Sequence, residues 1–152
     1  CGFYPARDRC NCTEAEIRKY RSRISGPIYD RIDICVEAKA VDLKELQSED
    51  VSQSSKELKE QVMKARAIQE ERYRGTPYYF NADLETKDIG NYCYLEEEEK
   101  QFMEQVFYSL RLSARAYHRT LKVARTIADL EGSYEIKKEH LTEAVCYRGF
   151  EI

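Results

Sequence analysis

The sequence lacks a phosphate-binding loop. None of its six glycines is followed by lysine, so the G-x-x-x-x-G-K-[ST] pattern that cradles nucleotide phosphates is absent. Histidine is scarce as well, and the two present, His118 and His140, stand outside any metal or nucleophile motif. We therefore expect no ATP hydrolysis by this chain alone, because the ligands for phosphate and Mg²⁺ are missing.

Long apolar runs are missing too. No stretch of ~18 apolar residues occurs, so no transmembrane helix is expected. No basic segment followed by an apolar run marks a signal peptide. The six cysteines are unevenly spaced, unlike those of a secreted disulfide scaffold, which favours a reducing, cytoplasmic location. The chain begins on Cys1 rather than methionine, which suggests a piece of a longer protein.

The formal net charge of -3 argues against simple charge-driven DNA binding, although a local basic patch stays open. Residues 1–12 read as a loop that holds Cys1, Cys10 and Cys12. Thr13 and Glu16 then form a capping-box pattern at the start of a helix, which Gly26-Pro27 should end.

Alternation of apolar and polar residues from Ile32 to Val36 predicts one strand. A lone strand cannot satisfy its backbone, so its sheet partners are expected outside this chain. The polar, serine-rich residues 47–55 are interpreted as a linker.

The remainder of the chain predicts four or five helices. Ser54 with Glu57 makes a second capping box, and the helix after it should end near Gly75. Residues 83–93 predict a short helix, and Glu96–Glu99 open the next one. Ser113 is the expected N-cap of a helix that Gly132 terminates, and a last helix should run from about Lys137 to Tyr147.

Two long runs carry a family resemblance. The first is R-K-Y-R-S-R-I-S-G-P-I-Y-D-R-I-D at residues 18–33, and the second is L-S-A-R-A-Y-H-R at 112–119, continued by V-A-R-T-I-A-D-L at 123–130. Together with E-H-L-T-E-A-V at 139–145, they resemble magnesium-chelatase-like AAA+ ATPases of the ComM/YifB family. The resemblance covers nearly the whole chain and is weakest over 39–93.

The resemblance implies a fold. We expect a mainly α structure, in which residues 49–152 form a helical AAA+ lid bundle with the linker at its start. Residues 1–48 would be a C-terminal remnant of the α/β ATPase core, with one helix and one strand. The lid should fold alone, and the remnant should be less ordered or attached through its helix.

The resemblance also assigns roles to two arginines. Arg31, in the D-R-I-D box, would be an arginine finger that acts on the nucleotide of a neighbouring subunit. Spacing alone favours a surface or strand-start arginine paired with Asp30 or Asp33. Arg115, in the L-S-A-R box, would be the second sensor, which contacts nucleotide phosphate. Its alternative is an exposed helix arginine in an i,i+4 pair.

Three further groups remain open at this stage. The cysteine loop resembles the family's C-x-C-G…C-x-C cluster, which implies zinc held by Cys1, Cys10 and Cys12 with a fourth ligand outside the chain; free thiols are the alternative. Arg119 and Arg125 are interpreted as solvated or structural. The aromatic run Tyr78-Tyr79-Phe80 could stack nucleic-acid bases, but a place in the core is favoured.

Three functions follow from these observations. The first is a fragment of a hexameric ATPase ring that acts on DNA, of the branch-migration or competence type, using ATP and Mg²⁺ in the parent protein. The second is a magnesium-chelatase motor for porphyrin metallation, which the cysteine cluster and the D-R-I-D box disfavour. The third is a helical protein-interaction module without nucleotide binding. No membrane partner is expected.

Overall fold

The computed structural model describes residues 1–4, 6, 8–38, 41, 43, 47 and 53–148, and within them the chain is helical. Seven α-helices and one 3₁₀ turn are present among these residues. In chain order they are α1 (Glu14–Arg21), α2 (Gly26–Tyr29), α3 (Ser55–Arg72), η1 (Asn81–Asp83), α4 (Thr86–Tyr92), α5 (Glu97–Ser109), α6 (Ala114–Glu131) and α7 (Lys138–Cys146).

Local capping sets where the helices begin. The Thr13 amide donates to Glu16 Oε2 at 2.8 Å while the Thr13 hydroxyl accepts from the Glu16 amide, so both predicted partners are used. Ser54 and Glu57 repeat this arrangement at the start of α3, with the Ser54 amide 2.7 Å from Glu57 Oε2. The backbone hydrogen bond from the cap lowers the pKa of each glutamate.

The hydrophobic core lies among α4, α5, α6, α7 and the loops that join them. Met103, Ala124 and Leu141 are fully buried at its centre. An aromatic cluster closes one side, with the rings of Tyr73 and Tyr92 edge to face at 5.1 Å between centroids. The core has these buried members: Tyr73, Tyr78, Leu84, Ile89, Cys93, Leu95, Met103, Leu121, Ala124, Ile136, Leu141 and Ala144. The predicted helical bundle is therefore confirmed.

A buried ionic network joins α3, η1 and α6. Asp129 is 1% exposed, and its carboxylate accepts from Arg72 Nη1 at 2.8 Å, Arg125 Nε at 3.1 Å and Asn81 Nδ2 at 2.8 Å. Arg125 also donates to the carbonyls of residues 133 and 134, which fixes the loop after α6. Buried charges are tolerated when every donor and acceptor is used, as here. Arg125 is a structural residue.

Two details of the sequence-based prediction were wrong. Residues 31–38 form no strand: they begin with a turn at Arg31 and a bend at Asp33, the rest is irregular, and no partner strand pairs with them among the described residues. The first helix ends at Arg21, and Gly26-Pro27 begin the one-turn helix α2 instead of ending α1. Proline fits there because its fixed φ and missing N–H suit the first turn of a helix.

Other predicted features fall partly outside the described residues. Most of the predicted linker at 47–55 belongs to that undescribed part. In the aromatic run, Tyr78 is in the core, as favoured, whereas Tyr79 is 74% exposed. None of the helices in the described ranges is long and apolar enough to cross a membrane.

Candidate functional site

The N-terminus of α6 carries the L-S-A-R box. The Ser113 hydroxyl accepts from the Ala116 amide at 3.1 Å and so caps the helix, as predicted. Just before the cap, Arg111 adopts a left-handed φ of 48°. This conformation ends α5 sharply, and the chain enters α6 within a few residues. Arg115 consequently sits in the first turn of α6, where the helix dipole favours anions.

Arg115 is exposed, and it forms no hydrogen bond or ion pair with the rest of the described chain. Its neighbours at i−4 and i+4 are Arg111 and Arg119, so the alternative interpretation of an i,i+4 acid–base pair fails for lack of an acid. Arg115 and Arg119, one turn apart within α6, place two guanidinium groups on the same face of the helix. Such groups suit phosphate oxygens, which they bind in a bidentate manner.

The D-R-I-D box is docked onto this same end of the bundle. We call residues 30–35 the docking segment. The Asp30 carboxylate accepts from the Ser113 hydroxyl at 2.9 Å. Asp33 forms an ion pair with Arg119, one turn further along α6. The two sequence motifs that carry the family resemblance are thus neighbours in space, although more than 80 residues separate them: the Asp30–Ser113 separation is 83.

Backbone groups extend the docking. The Cys35 amide donates to the carbonyl of Tyr147 at 2.9 Å, just after α7. Arg148 Nη1 donates to the carbonyl of Ile32 at 3.2 Å. These bonds satisfy part of the backbone of this irregular segment, which has no sheet partner among the described residues. A small cavity of about 160 Å³ remains between the docking segment and the start of α6, lined by Asp30, Ile32, Leu112 and Arg148 among others.

Arg31 lies inside the docking segment and is exposed. Its Nη1 donates to the carbonyl of Pro27 at 2.7 Å. The alternative pairing with Asp30 or Asp33 is not formed, because those carboxylates contact Ser113 and Arg119. The sequence alone did not predict these two pairs. The spacing of the motifs gives no information on contacts across the fold, although the acids beside Arg31 were visible as a signal.

The cysteine loop brings its three thiols together. The sulfurs of Cys1 and Cys10 are 3.5 Å apart, and those of Cys12 and Cys1 are 3.2 Å apart. Cys10 is 3% exposed, so one member of the group is held within the loop. Three convergent sulfurs are a donor set suited to a thiolate-binding metal such as zinc.

A second group of metal-ligand type, Glu131, Glu139 and His140, has a simpler explanation. The Lys137 amide donates to His140 Nδ1 at 2.9 Å, which assigns the lone pair to Nδ1 and the proton to Nε2. That N–H faces Glu131, and this hydrogen bond lowers the pKa of the carboxylate. His140 is therefore a buried cap for α7, with no lone pair left for a metal.

Two family models match this chain. The family model described as magnesium chelatase, subunit ChlI C-terminal, matches residues 52–148, and the model described as magnesium chelatase, subunit ChlI, matches residues 1–46. The chain belongs to the magnesium chelatase family. It is of the ComM/YifB type within that family of AAA+ motor proteins, as the relatives show.

Three relatives illustrate the likeness. The chain is 42% identical over 134 residues to the competence protein ComM of Haemophilus influenzae, covering 88% of this chain and 26% of the relative. It is 38% identical over 141 residues to the YifB protein of Salmonella typhimurium and 39% identical over 141 residues to that of Escherichia coli, covering 92% of this chain and 27% of each relative. The chain thus spans about a quarter of the length of these relatives, 26–27%.

Proposed function

We propose that this magnesium-chelatase-like chain is the C-terminal part of the ATPase motor of a hexameric, DNA-acting machine. Residues 49–152 would be its lid and residues 1–48 the end of its ATPase core. Two family models that meet between residues 46 and 52 support this division. The name of the Haemophilus relative, a competence protein, supports DNA as the partner.

In this proposal Arg31 is the arginine finger and Arg115 is the second sensor. The observation that carries it is the docking of the D-R-I-D box on the L-S-A-R box, with both arginines exposed and neither paired with an acid among the described residues. ATP bound elsewhere in the parent, with its Mg²⁺, supplies the γ-phosphoryl group. The two guanidinium groups would stabilise the charge that develops on its oxygens.

The test is ATP hydrolysis by the full-length protein, with and without branched DNA. Arg31→Ala should lower kcat by roughly 10³-fold or more, as expected for an arginine finger. Arg115→Ala should also reduce turnover strongly. Arg74→Ala is the matched control, because Arg74 is an exposed arginine that pairs with Glu71 and comes two residues after Arg72, which contacts Asp129 at the other end of α6.

Normal hydrolysis by both alanine variants would favour a helical interaction module instead. The 152-residue chain alone should show no turnover above background. A chelatase motor for porphyrin metallation is the second candidate, since the matching family models carry the chelatase name. Hydrolysis that responds to a porphyrin substrate and not to DNA would establish that candidate.

We infer that Cys1, Cys10 and Cys12 hold a structural zinc ion. Sulfurs on a tetrahedral zinc lie roughly 3.8 Å apart, given Zn–S bonds of about 2.3 Å, and the observed separations of 3.2 and 3.5 Å are close to that. The fourth position falls to water or to a residue outside this chain. Zinc should co-purify with the protein and be lost in Cys10→Ser, whereas Cys146→Ser, which removes an exposed thiol elsewhere, should keep it.

A further inference from the structure

The two candidate catalytic arginines are bracketed by the same two contacts. Arg31 lies between Asp30 and Asp33 in sequence. Arg115 lies between Ser113 and Arg119. Asp30 contacts Ser113 and Asp33 contacts Arg119, so each arginine is flanked on both sides by an anchored residue.

We propose that Asp33 and Arg119 are positioning residues that fix Arg31 and Arg115 in one frame, so that finger and sensor move as a unit with the lid. This inference rests on the proposed function, because only that function makes Arg31 and Arg115 catalytic residues. Neither residue touches nucleotide in this scheme. They act by holding the docking segment against the first turns of α6.

Energetics favour a role in orientation over one in stability. The side chain of Arg119 is 30% exposed and that of Asp33 is 55% exposed, and an ion pair at this depth adds little to global stability. The hydrophobic core lies elsewhere, from Tyr73 onward, and contains neither residue. The pair instead restrains an irregular segment that has no sheet partner within the described chain.

Position along α6 makes Arg119 the suitable partner. Arg119 is one turn after Arg115, so both side chains lie on the same face of the helix. Asp33 pairs with the guanidinium of Arg119 and offsets its positive charge next to Arg115. Arg115 is exposed and has no acidic partner among the described residues, so its charge stays available for an anion. Loss of Asp33 would leave the charges of Arg115 and Arg119 repelling each other, besides releasing the segment.

The experiment is a charge swap in two settings. In this chain, hydrogen exchange of the Cys35 amide reports docking, because that amide donates to Tyr147 only while the segment is in place. Asp33→Arg and Arg119→Asp should each raise its exchange rate at least tenfold, and the double variant should restore most of the protection. Exposed Glu71 and Arg74 provide the control swap, which should leave the Cys35 amide unchanged. Circular dichroism confirms that every variant is folded.

In the full-length ATPase, each single variant should lower kcat at least tenfold with a smaller effect on KM for ATP, and the double variant should recover at least half of the loss. Unchanged exchange in the single variants, or no recovery in the double variant, would overturn the positioning role. Loss of turnover in Arg31→Ala with normal turnover in Asp33→Arg would also overturn it while leaving the proposed function intact. Normal turnover in Arg31→Ala and Arg115→Ala would instead overturn the proposed function itself.

Discussion

At the scale of single residues, three arginines on one helix have three different environments. Arg115 is exposed at the first turn of α6, Arg119 is partly covered by its ion pair, and Arg125 is 3% exposed. Helical periodicity decides this, because Arg125 falls on the stripe that contains Leu121, Ala124 and Ala128. Burial lowers the pKa of Arg125, and the charge of Asp129 opposes that shift.

Substitution of Asp129 should lower the free energy of unfolding strongly. Asp129→Asn keeps the shape of the side chain but leaves the charges of Arg72 and Arg125 without a buried counter-ion. We expect the free energy of unfolding to fall by about 3–5 kcal/mol. Urea denaturation followed by circular dichroism measures it. Glu104→Gln, a similar change at an exposed site on α5, is the control and should shift the value by under ~0.5 kcal/mol.

The sequence predicted individual caps but not this network. Thr13, Ser54 and Ser113 could be identified because a cap and its partner are three residues apart. Arg72 and Asp129 are 57 residues apart, and no local pattern links them. The same holds for Asp33 and Arg119, at a separation of 86. Contacts across the fold therefore had to come from the structure.

At the scale of elements, the junction of α5 and α6 is an irregular feature. The Leu112 amide donates to the carbonyl of Phe107 at 3.0 Å and the Arg111 amide to that of Tyr108 at 3.4 Å, which is the hydrogen-bond pattern of a Schellman motif. Glycine is the usual residue at the left-handed position of this motif. Here an arginine occupies it, and the conformation costs about 1 kcal/mol relative to glycine.

Arg111→Gly should therefore stabilise the protein, by roughly 0.5–1 kcal/mol, because it relieves the left-handed strain. Thermal unfolding should show this as a rise in Tm. Gly132→Ala is the matched opposite change, since Gly132 has φ 79° after α6, and it should lower Tm by a similar amount. A fall in Tm for Arg111→Gly would mean that the Arg111 side chain makes a stabilising contact that outweighs the strain.

Helices were easier to predict than the structure of residues 31–38. The bounds expected for the last two helices agree with α6 and α7 to within a residue or so, because caps and apolar stripes act locally. Alternation over Ile32–Val36 is a genuine strand pattern, yet a strand also requires a neighbour to bond with. In the described chain, the segment forms hydrogen bonds with Tyr147, just after α7, and with Arg148 instead. It therefore docks without becoming part of a sheet.

At the scale of the whole molecule, we expect the core to fold without the N-terminal elements. All buried members of the hydrophobic core lie between Tyr73 and Ala144. We expect residues 53–148 alone to unfold cooperatively, with Tm lowered by no more than about 8 °C, which corresponds to roughly 1 kcal/mol for a domain of this size. Scanning calorimetry measures this.

Residues 1–38 provide the complementary fragment and should show no cooperative transition, because Cys10 and Ile17 are the buried hydrophobic residues that the structure describes there. Loss of a cooperative transition in the 53–148 fragment would mean that the docking segment contributes to the fold of the bundle. The division into a core remnant and a lid would then need revision.

Because Cys1, Cys10 and Cys12 are clustered, the amount of zinc bound should depend on whether the protein was oxidised during preparation. With sulfurs 3.2 Å apart, Cys1 and Cys12 are placed for oxidation by air, and a disulfide between them would consume two of the three candidate ligands. A reductant would then keep the thiols available for zinc, whereas a chelator would remove the zinc from the same loop. Preparations made with and without reductant would be chemically different proteins at this end, and an assay that compares them should record their thiol content first.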